Sequence, residues 1–294
     1  MEQARICLIS GANSGLGKVT AMELARQGFD IIMLCRDVER SIRPQQEIQS
    51  VSKTRNVYLV SCDLSSMDSV RAAAENIHHR FDHIDVLINN AGRVVDPLQY
   101  SPDGIELTFA TNYLGPFLLT QLMLDLLRKS NEARIINVAS ELHRFARFET
   151  LVHRTPENYS ALGAYNDSKL AKLLWTFELA DRLMDDGITV NALHPWLVDT
   201  NFAEDGDAKG LLYTAFQIGK FFAPPPEVLA KTHVYLASSP EVHYVTGLYF
   251  ANCAPYEPSA KAQDRELGRQ LWQLSEQLTG VIDYQKRLEL FSTL

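Results

Sequence analysis

Ile6-Cys7-Leu8-Ile9-Ser10-Gly11-Ala12-Asn13-Ser14-Gly15-Leu16-Gly17-Lys18 decides how the rest of the chain is read. Four apolar residues run without alternation, as in a strand covered on both faces, and a glycine-rich turn follows at once. Beyond Gly17 the pattern becomes helical. The glycines permit a tight turn and close backbone approach. The helix start behind them offers unpaired N–H groups and the positive end of the helix dipole, a place that suits a pyrophosphate. The spacing is Gly-x-x-x-Gly-x-Gly, not the commoner Gly-x-Gly-x-x-Gly, so the turn alone is also compatible with a structural role. Its position between a strand and a helix is the one a dinucleotide motif requires.

Working outward, the apolar runs Ile31–Leu34, Val57–Val60, Val86–Ile88, Ile135–Val138, Ile188–Leu193 and Leu248–Phe250 alternate with segments long enough for crossover helices. Leu170, Leu173, Leu174, Phe177 and Met184 mark one such helix by their spacing. Strand–helix alternation on this scale predicts an α/β fold, a Rossmann-type doubly wound parallel sheet of about seven strands in a three-layer αβα sandwich. No repeat or composition break marks a second unit. The expectation is one domain over 1–294 with a core at 5–250, a substrate loop near 199–226 and a helical extension over 255–294. The amphipathic helix of that extension lies at Ala260–Gly280.

With 46% apolar and 22% charged residues the composition is that of a soluble globular protein. A net charge of −8 excludes nucleic acid as the main partner, because phosphate backbones need clustered cations. Cys7, Cys35, Cys62 and Cys253 form no C-x-x-C pair and read as thiols of a reducing compartment. The chain enters its first strand at Ile6, too early for a signal peptide, and no apolar run nears the roughly 20 residues of a membrane span. These features lead us to expect a cytoplasmic protein without a transmembrane segment. The histidines, including His78-His79, lack metal-ligand spacing, so no metal is expected.

Arg36 and Asp37 follow the second strand about 20 residues past the glycines, where a ribose is read. An acidic residue there accepts from a 2′-hydroxyl, whereas arginine pairs with a 2′-phosphate. Arg36 comes first, which favours NADP(H) over NAD(H); Asp37 serves equally to cap the next helix. Asp63-Leu64 follows the third strand, and Asp63 either accepts from an adenine amino group or caps a helix. Tyr165-Asn166-Asp167-Ser168-Lys169 places a phenol and an ammonium four residues apart on one helix face. A phenol, near pKa 10, is a poor acid or base at neutrality, and an adjacent cation draws it toward useful proton transfer.

With these residues in this order, the sequence resembles the short-chain dehydrogenase/reductase family over about residues 5–250. Asn89-Asn90-Ala91-Gly92, Thr111-Asn112-Tyr113-Leu114-Gly115, Ile135-Ile136-Asn137-Val138-Ala139-Ser140, and His194-Pro195 with Thr200 match further motifs of that family. The resemblance implies that Tyr165 exchanges a proton with the alcohol or carbonyl oxygen and that Ser140 hydrogen-bonds the same oxygen. It implies that Lys169 holds the nicotinamide ribose and tunes Tyr165, and that Asn112 positions a relay water. It also implies cofactor contacts at Gly11, Asn13, Ser14, Gly15, Leu16, Gly17, Arg36, Asp63, Leu64, Asn90, Ala91, Gly92, Pro195, Val198 and Thr200, besides Tyr165 and Lys169.

Cys35-Arg36-Asp37, Asp103-Gly104-Ile105-Glu106, Pro116-Phe117-Leu118-Leu119-Thr120, Ser168-Lys169-Leu170-Ala171 and Leu271-Trp272 resemble retinol-dehydrogenase-like members in particular. The distance of 25 positions from Ser140 to Tyr165, about twice the family's commonest spacing, also resembles that branch. Many such enzymes carry an N-terminal membrane anchor; from this sequence none is expected. Trp196 departs from the family's usual Pro-Gly; with Leu142 and His143 it is expected to wall a substrate pocket, the alternative being an indole turned to the surface. The reading is an NADP(H)-dependent oxidoreductase for a hydrophobic small-molecule alcohol, ketone or aldehyde, and the resemblance implies a homodimer or homotetramer. The alternative is a dinucleotide-binding sensor or scaffold without turnover, against which the intact Asn112, Ser140, Tyr165 and Lys169 argue. An extended epimerase would need Gly-x-x-Gly-x-x-Gly, and a hydrolase would need Gly-x-Ser-x-Gly; neither is present.

Overall fold

The apolar runs form strands in the computed structural model, which describes residues 4–148, 154–195 and 225–281. They are β1 (Ile6–Ser10), β2 (Asp30–Cys35), β3 (Val57–Ser61), β4 (Val86–Asn89), β5 (Arg134–Val138), β6 (Thr189–Leu193) and β7 (Tyr249–Ala251), all parallel. An eighth strand, β8 (Ala254–Pro255), pairs antiparallel with β7. Two exposed residues carry no apolar run, which is why the sequence does not announce it. The order across the sheet is β3-β2-β1-β4-β5-β6-β7-β8.

Helices α1 (Gly15–Gln27), α2 (Val38–Val51), α3 (Met67–Arg80), α4 (Leu107–Phe109), α5 (Gly115–Leu127), α6 (Ala161–Arg182), α7 (Pro226–Leu229), α8 (Lys231–Ser238) and α9 (Arg265–Thr279) connect or flank the strands. Strand side chains alternate between two cores, as period-2 geometry demands. Leu8, Ile32 and Leu87 face α3, α5 and α6; Cys7, Ile31 and Ile88 face α1 and α8. The sheet is therefore the middle of three layers.

Every residue of α6 from Ala164 to Ala180 is buried. The expected stripe is only part of that surface, because α9 covers the side of α6 turned away from the sheet. Trp272 packs edge-on against Phe117 at 5.1 Å, the Tyr113 hydroxyl meets Ser275 Oγ at 2.7 Å, and the Arg182 guanidinium lies over Trp272 at 4.1 Å. Met184, which the stripe includes, is 67% exposed, since α6 ends at Arg182 before reaching it. The chain runs outward from β1 to β3 and then returns to place β4 on the other side of β1. Such a reversal opens a crevice at the carboxyl ends of β1 and β4, where open α/β sheets bind ligands. Among the described residues no helix is long and apolar enough to cross a membrane.

Candidate active site

Both walls of the crevice are joined by hydrogen bonds from the ends of β1 and β4. Ser10 Oγ accepts from the N–H groups of Asn90 and Ala91, each at 3.0 Å, and Asn90 Nδ2 donates to the Ser10 carbonyl at 2.9 Å. Gly17 packs onto this junction so closely that a Cβ would strike the Gly11 carbonyl and stand 2.5 Å from Asn90 Nδ2. The first turn of α1 holds no acidic residue, and the Ser14 side chain makes no capping bond to it. A helix start without its own anion, behind a turn too tight for a side chain, fits a pyrophosphate. Leu16 is buried, Asn13 and Gly15 are half-buried, and Ser14 is exposed at the rim.

At the ribose end Arg36 is exposed directly after β2. Asp37 caps α2 by accepting from Arg40 N at 3.0 Å, the local role that its position also allowed. Asp63 Oδ1 accepts from Ser65 N at 2.9 Å and Ser65 Oγ at 2.7 Å, which shapes the turn before α3. Leu64 is buried, and its carbonyl presses on Gly115.

Asn112 sits in a single π-helical turn, Ala110–Leu114, between α4 and α5. Its Nδ2 donates to the Arg93 carbonyl at 2.9 Å and to Ser168 Oγ at 3.0 Å, while its Oδ1 accepts from Arg93 N at 2.7 Å. Ser168 Oγ in turn donates to the Tyr165 carbonyl at 2.7 Å. Lys169, 2% exposed, donates from Nζ to the Val138 carbonyl at 2.9 Å and lies 5.3 Å from the centre of the Tyr165 ring. Gly92 borders both groups: a Cβ there would stand 3.5 Å from Lys169 Nζ and 3.4 Å from Asn112 Oδ1. Ser140 caps the turn Glu141–Phe145, accepting from Leu142 N at 3.2 Å, and its hydroxyl is also hydrogen-bonded to Tyr165. All four residues assigned to catalysis from sequence therefore meet at one place.

Electrostatics differ from the simple expectation. Burial pushes the Tyr165 phenol above its usual range, and the Ser140 hydrogen bond only partly opposes it. Burial also pushes Lys169 down to about 7. The attraction expected from Lys169 thus meets a stronger desolvation effect on both groups. In the chain itself Tyr165 is a neutral phenol beside an amine that titrates near neutrality.

The surroundings of Tyr165 are apolar: Val94 and Ala161 form a small cluster with it, and Leu142 and Tyr159 pack against that cluster. His143 is buried rather than lining open space, with Nδ1 on the Ser140 carbonyl at 2.8 Å and Nε2 accepting from Ser259 N at 3.1 Å. Pro195 is buried; Trp196, Val198, Thr200 and most of the 199–226 connection lie outside the described residues.

Four residues of this region have roles that their motifs do not announce: Ser10, Asp167, Ser168 and Lys172. Asp167 accepts from Arg147 N at 2.9 Å and Phe148 N at 3.1 Å and pairs with Arg154 at 2.6 Å, so it holds the insertion after Ser140. Lys172, wholly buried, donates to the Asn89 carbonyl at 2.9 Å. Burial, and then the Lys169 charge, hold it well below the usual lysine range. The available signal was a charged residue three positions after Lys169 on a helix with apolar neighbours.

A family model described as short chain dehydrogenase matches residues 5–209. The chain belongs to that family. Retinol dehydrogenase 14 of Homo sapiens is 40% identical to it over 297 residues, spanning 96% of this chain and 88% of that protein. Retinol dehydrogenase 13 of Homo sapiens is 38% identical over 279 residues, spanning 93% and 84%. A crystal structure of an uncharacterized protein from Mycobacterium paratuberculosis superposes with a TM-score of 0.73 at 35% identity and covers 94% of each chain. As a retinol-dehydrogenase-like short chain dehydrogenase, this chain is an oxidoreductase that acts on CH–OH groups with a nicotinamide dinucleotide.

Proposed function

We propose that the chain interconverts an alcohol and a ketone or aldehyde on a hydrophobic small molecule, uses NADP(H) in preference to NAD(H), and employs Tyr165 as general acid and base. The observation that carries this reading is the Tyr165–Ser140 hydrogen bond, set against an apolar cluster with Lys169 behind the ring. The dinucleotide, when bound, supplies or accepts the hydride. The residues that would hold it are those of the Gly11–Gly17 turn, Arg36, Asp63, Leu64, Asn90–Gly92, Pro195, Val198, Thr200, Tyr165 and Lys169. Arg36 supports the NADP(H) preference, since Asp37 is engaged as a helix cap.

In the reductive direction Tyr165, held protonated by burial, donates its phenolic proton to the carbonyl oxygen. Ser140 donates a hydrogen bond to the same oxygen and fixes its approach. Lys169 compensates the charge that develops on the phenol. Asn112 spends both amide protons on Arg93 and Ser168, which leaves one lone pair of Oδ1 for a relay water beside Gly92. Leu142, Val94 and Tyr159 supply the apolar wall that suits a hydrophobic substrate. A reducing, cytoplasmic setting accords with four cysteines that form no disulfide. A homodimer or homotetramer would need a face other than the exterior of α6, because α9 covers it.

The test is oxidation of NADPH and NADH against aldehydes and ketones of graded size, with Tyr165→Phe alongside. The expected result is turnover of apolar carbonyls with NADPH, lost in Tyr165→Phe while NADPH binding persists. A strong NADH preference would overturn the role of Arg36; full turnover by Tyr165→Phe would overturn the role of Tyr165.

A further inference from the structure

The segment that follows β8 returns to the turn carrying Ser140. Arg144 Nη2 donates to the Glu257 carbonyl at 2.5 Å, and Lys261 Nζ donates to the Arg147 carbonyl at 3.2 Å. Between them lies His143, 1% exposed, with both ring nitrogens engaged. A carbonyl can only accept, so Nδ1 carries the proton and donates to Ser140 O at 2.8 Å. Nε2 then accepts from Ser259 N at 3.1 Å. Ser140 O receives a second bond from His143 N at 3.1 Å. The peptide on the carbonyl side of Ser140 is thus clamped from one direction, and the direction of its Cα–Cβ bond is set with it.

We propose that His143 is a positioning residue, and that the Ser259 N–H, acting through the imidazole, aims the Ser140 hydroxyl at Tyr165. The proposal rests on the reading of Ser140 given above and adds the element that orients it. Burial pushes the imidazole below the usual histidine range, which keeps the ring in the neutral form that this two-sided arrangement requires. Nothing in the Tyr-x-x-x-Lys motif or the glycine turn calls for a contact 116 residues along the chain.

Replacing His143 itself would empty a buried site and confound folding with positioning, so the decisive variants are at Ser259. Its φ of −67° already matches proline, and Ser259→Pro deletes the N–H and puts a ring carbon where it pointed, so the imidazole loses its donor and is pushed from its place beside Ser140. Ser259→Pro also loses the hydroxyl that caps the turn Ala260–Gln263, so Ser259→Ala, which loses only that hydroxyl, is the reference. With NADPH and the best carbonyl substrate, kcat of Ser259→Pro is expected at least tenfold below that of Ser259→Ala. KM for NADPH should agree within twofold, because the dinucleotide end of the crevice is untouched. A purely structural contact would lower the melting temperature and leave kcat of the two variants equal, and that equality overturns the proposal. Ser140→Ala is measured in parallel. If it retains turnover, the reading of Ser140 fails and the positioning role with it. If it is inactive while the two Ser259 variants match, only the positioning role is wrong.

Discussion

Replacing Lys169 by methionine should stabilise the fold while abolishing turnover. Burial takes Lys169 from an ordinary 10.5 to about 7, so the folded chain holds this proton more weakly than the unfolded chain does. Between those values the unfolded state binds more protons, and stability rises with pH across the window. The penalty for the charge is complete below about pH 7 and vanishes above about pH 10.5. At 1.36 kcal/mol per pH unit, it amounts to about 4 kcal/mol at pH 7 and about 2 kcal/mol at pH 9. Methionine has a similar volume and no charge, but it leaves the Val138 carbonyl without its Lys169 donor, a loss of about 1–2 kcal/mol. Lys172, no longer repelled by its neighbour, adds a contribution of the same sign. The net expectation is a gain of about 2 kcal/mol at pH 7 that falls to nearly nothing at pH 9. Urea titrations of both proteins at the two pH values, followed by circular dichroism, measure it. A variant less stable than the parent at pH 7, or a difference that does not shrink by pH 9, would refute the reasoning.

Two further predictions concern packing. A Cβ at Gly115 would collide with the Leu64 carbonyl, which is backbone and cannot swing aside, so Gly115→Ala should cost about 3 kcal/mol or more; thermal melts check it, and an unchanged midpoint would show that the two segments separate easily. Trp272→Ala removes the side chain that seats α9 on Phe117 and Arg182 and should cost about 3–5 kcal/mol. It also uncovers apolar surface on α5 and α6, so light scattering after size exclusion should show more self-association than in the parent, and an equal mass would count against that cover.

What the sequence made legible follows a physical division. Local backbone demands leave local marks: a turn too tight for a Cβ requires glycine at Gly17, and strands covered on both faces require continuous apolar runs such as Ile6–Ile9. Those features were readable in number and order. Features created by distant contact left no such mark. The burial of α6 on most sides depends on α9, far along the chain, so the sequence shows one apolar stripe that includes the exposed Met184. The rise of the Tyr165 pKa follows from burial, which no four-residue motif encodes. Likewise His143 reads as part of a substrate-pocket wall until Ser259 is brought beside it. The π-helical turn at Asn112 was hidden for a different reason, because Ala110–Leu114 has ordinary helical residues and only its hydrogen-bond register departs.

Placing two lysines on a helix buried along most of its length demands acceptors that the helix cannot provide. The carboxyl ends of β4 and β5 provide them: Lys172 reaches the Asn89 carbonyl and Lys169 reaches the Val138 carbonyl. A closed set of side chains reinforces this contact, since Asn89 Nδ2 donates to Asn137 Oδ1 at 2.9 Å, Asn137 Nδ2 to Thr176 Oγ1 at 2.9 Å, and Thr176 Oγ1 to the Lys172 carbonyl at 2.7 Å. Buried polar groups are tolerable when their partners are supplied in this way, and costly when one is withdrawn. Burial, and then the Lys169 charge, push the deeper amine, Lys172, well below the usual lysine range, so it gives up its proton first. The charge therefore stays on Lys169, beside Tyr165, where proton transfer needs it. Lys172 ties the helix to the strand that leads into Asn90, Ala91 and Gly92, so the contact that offsets the burial of its amine also keeps the two halves of the crevice in register.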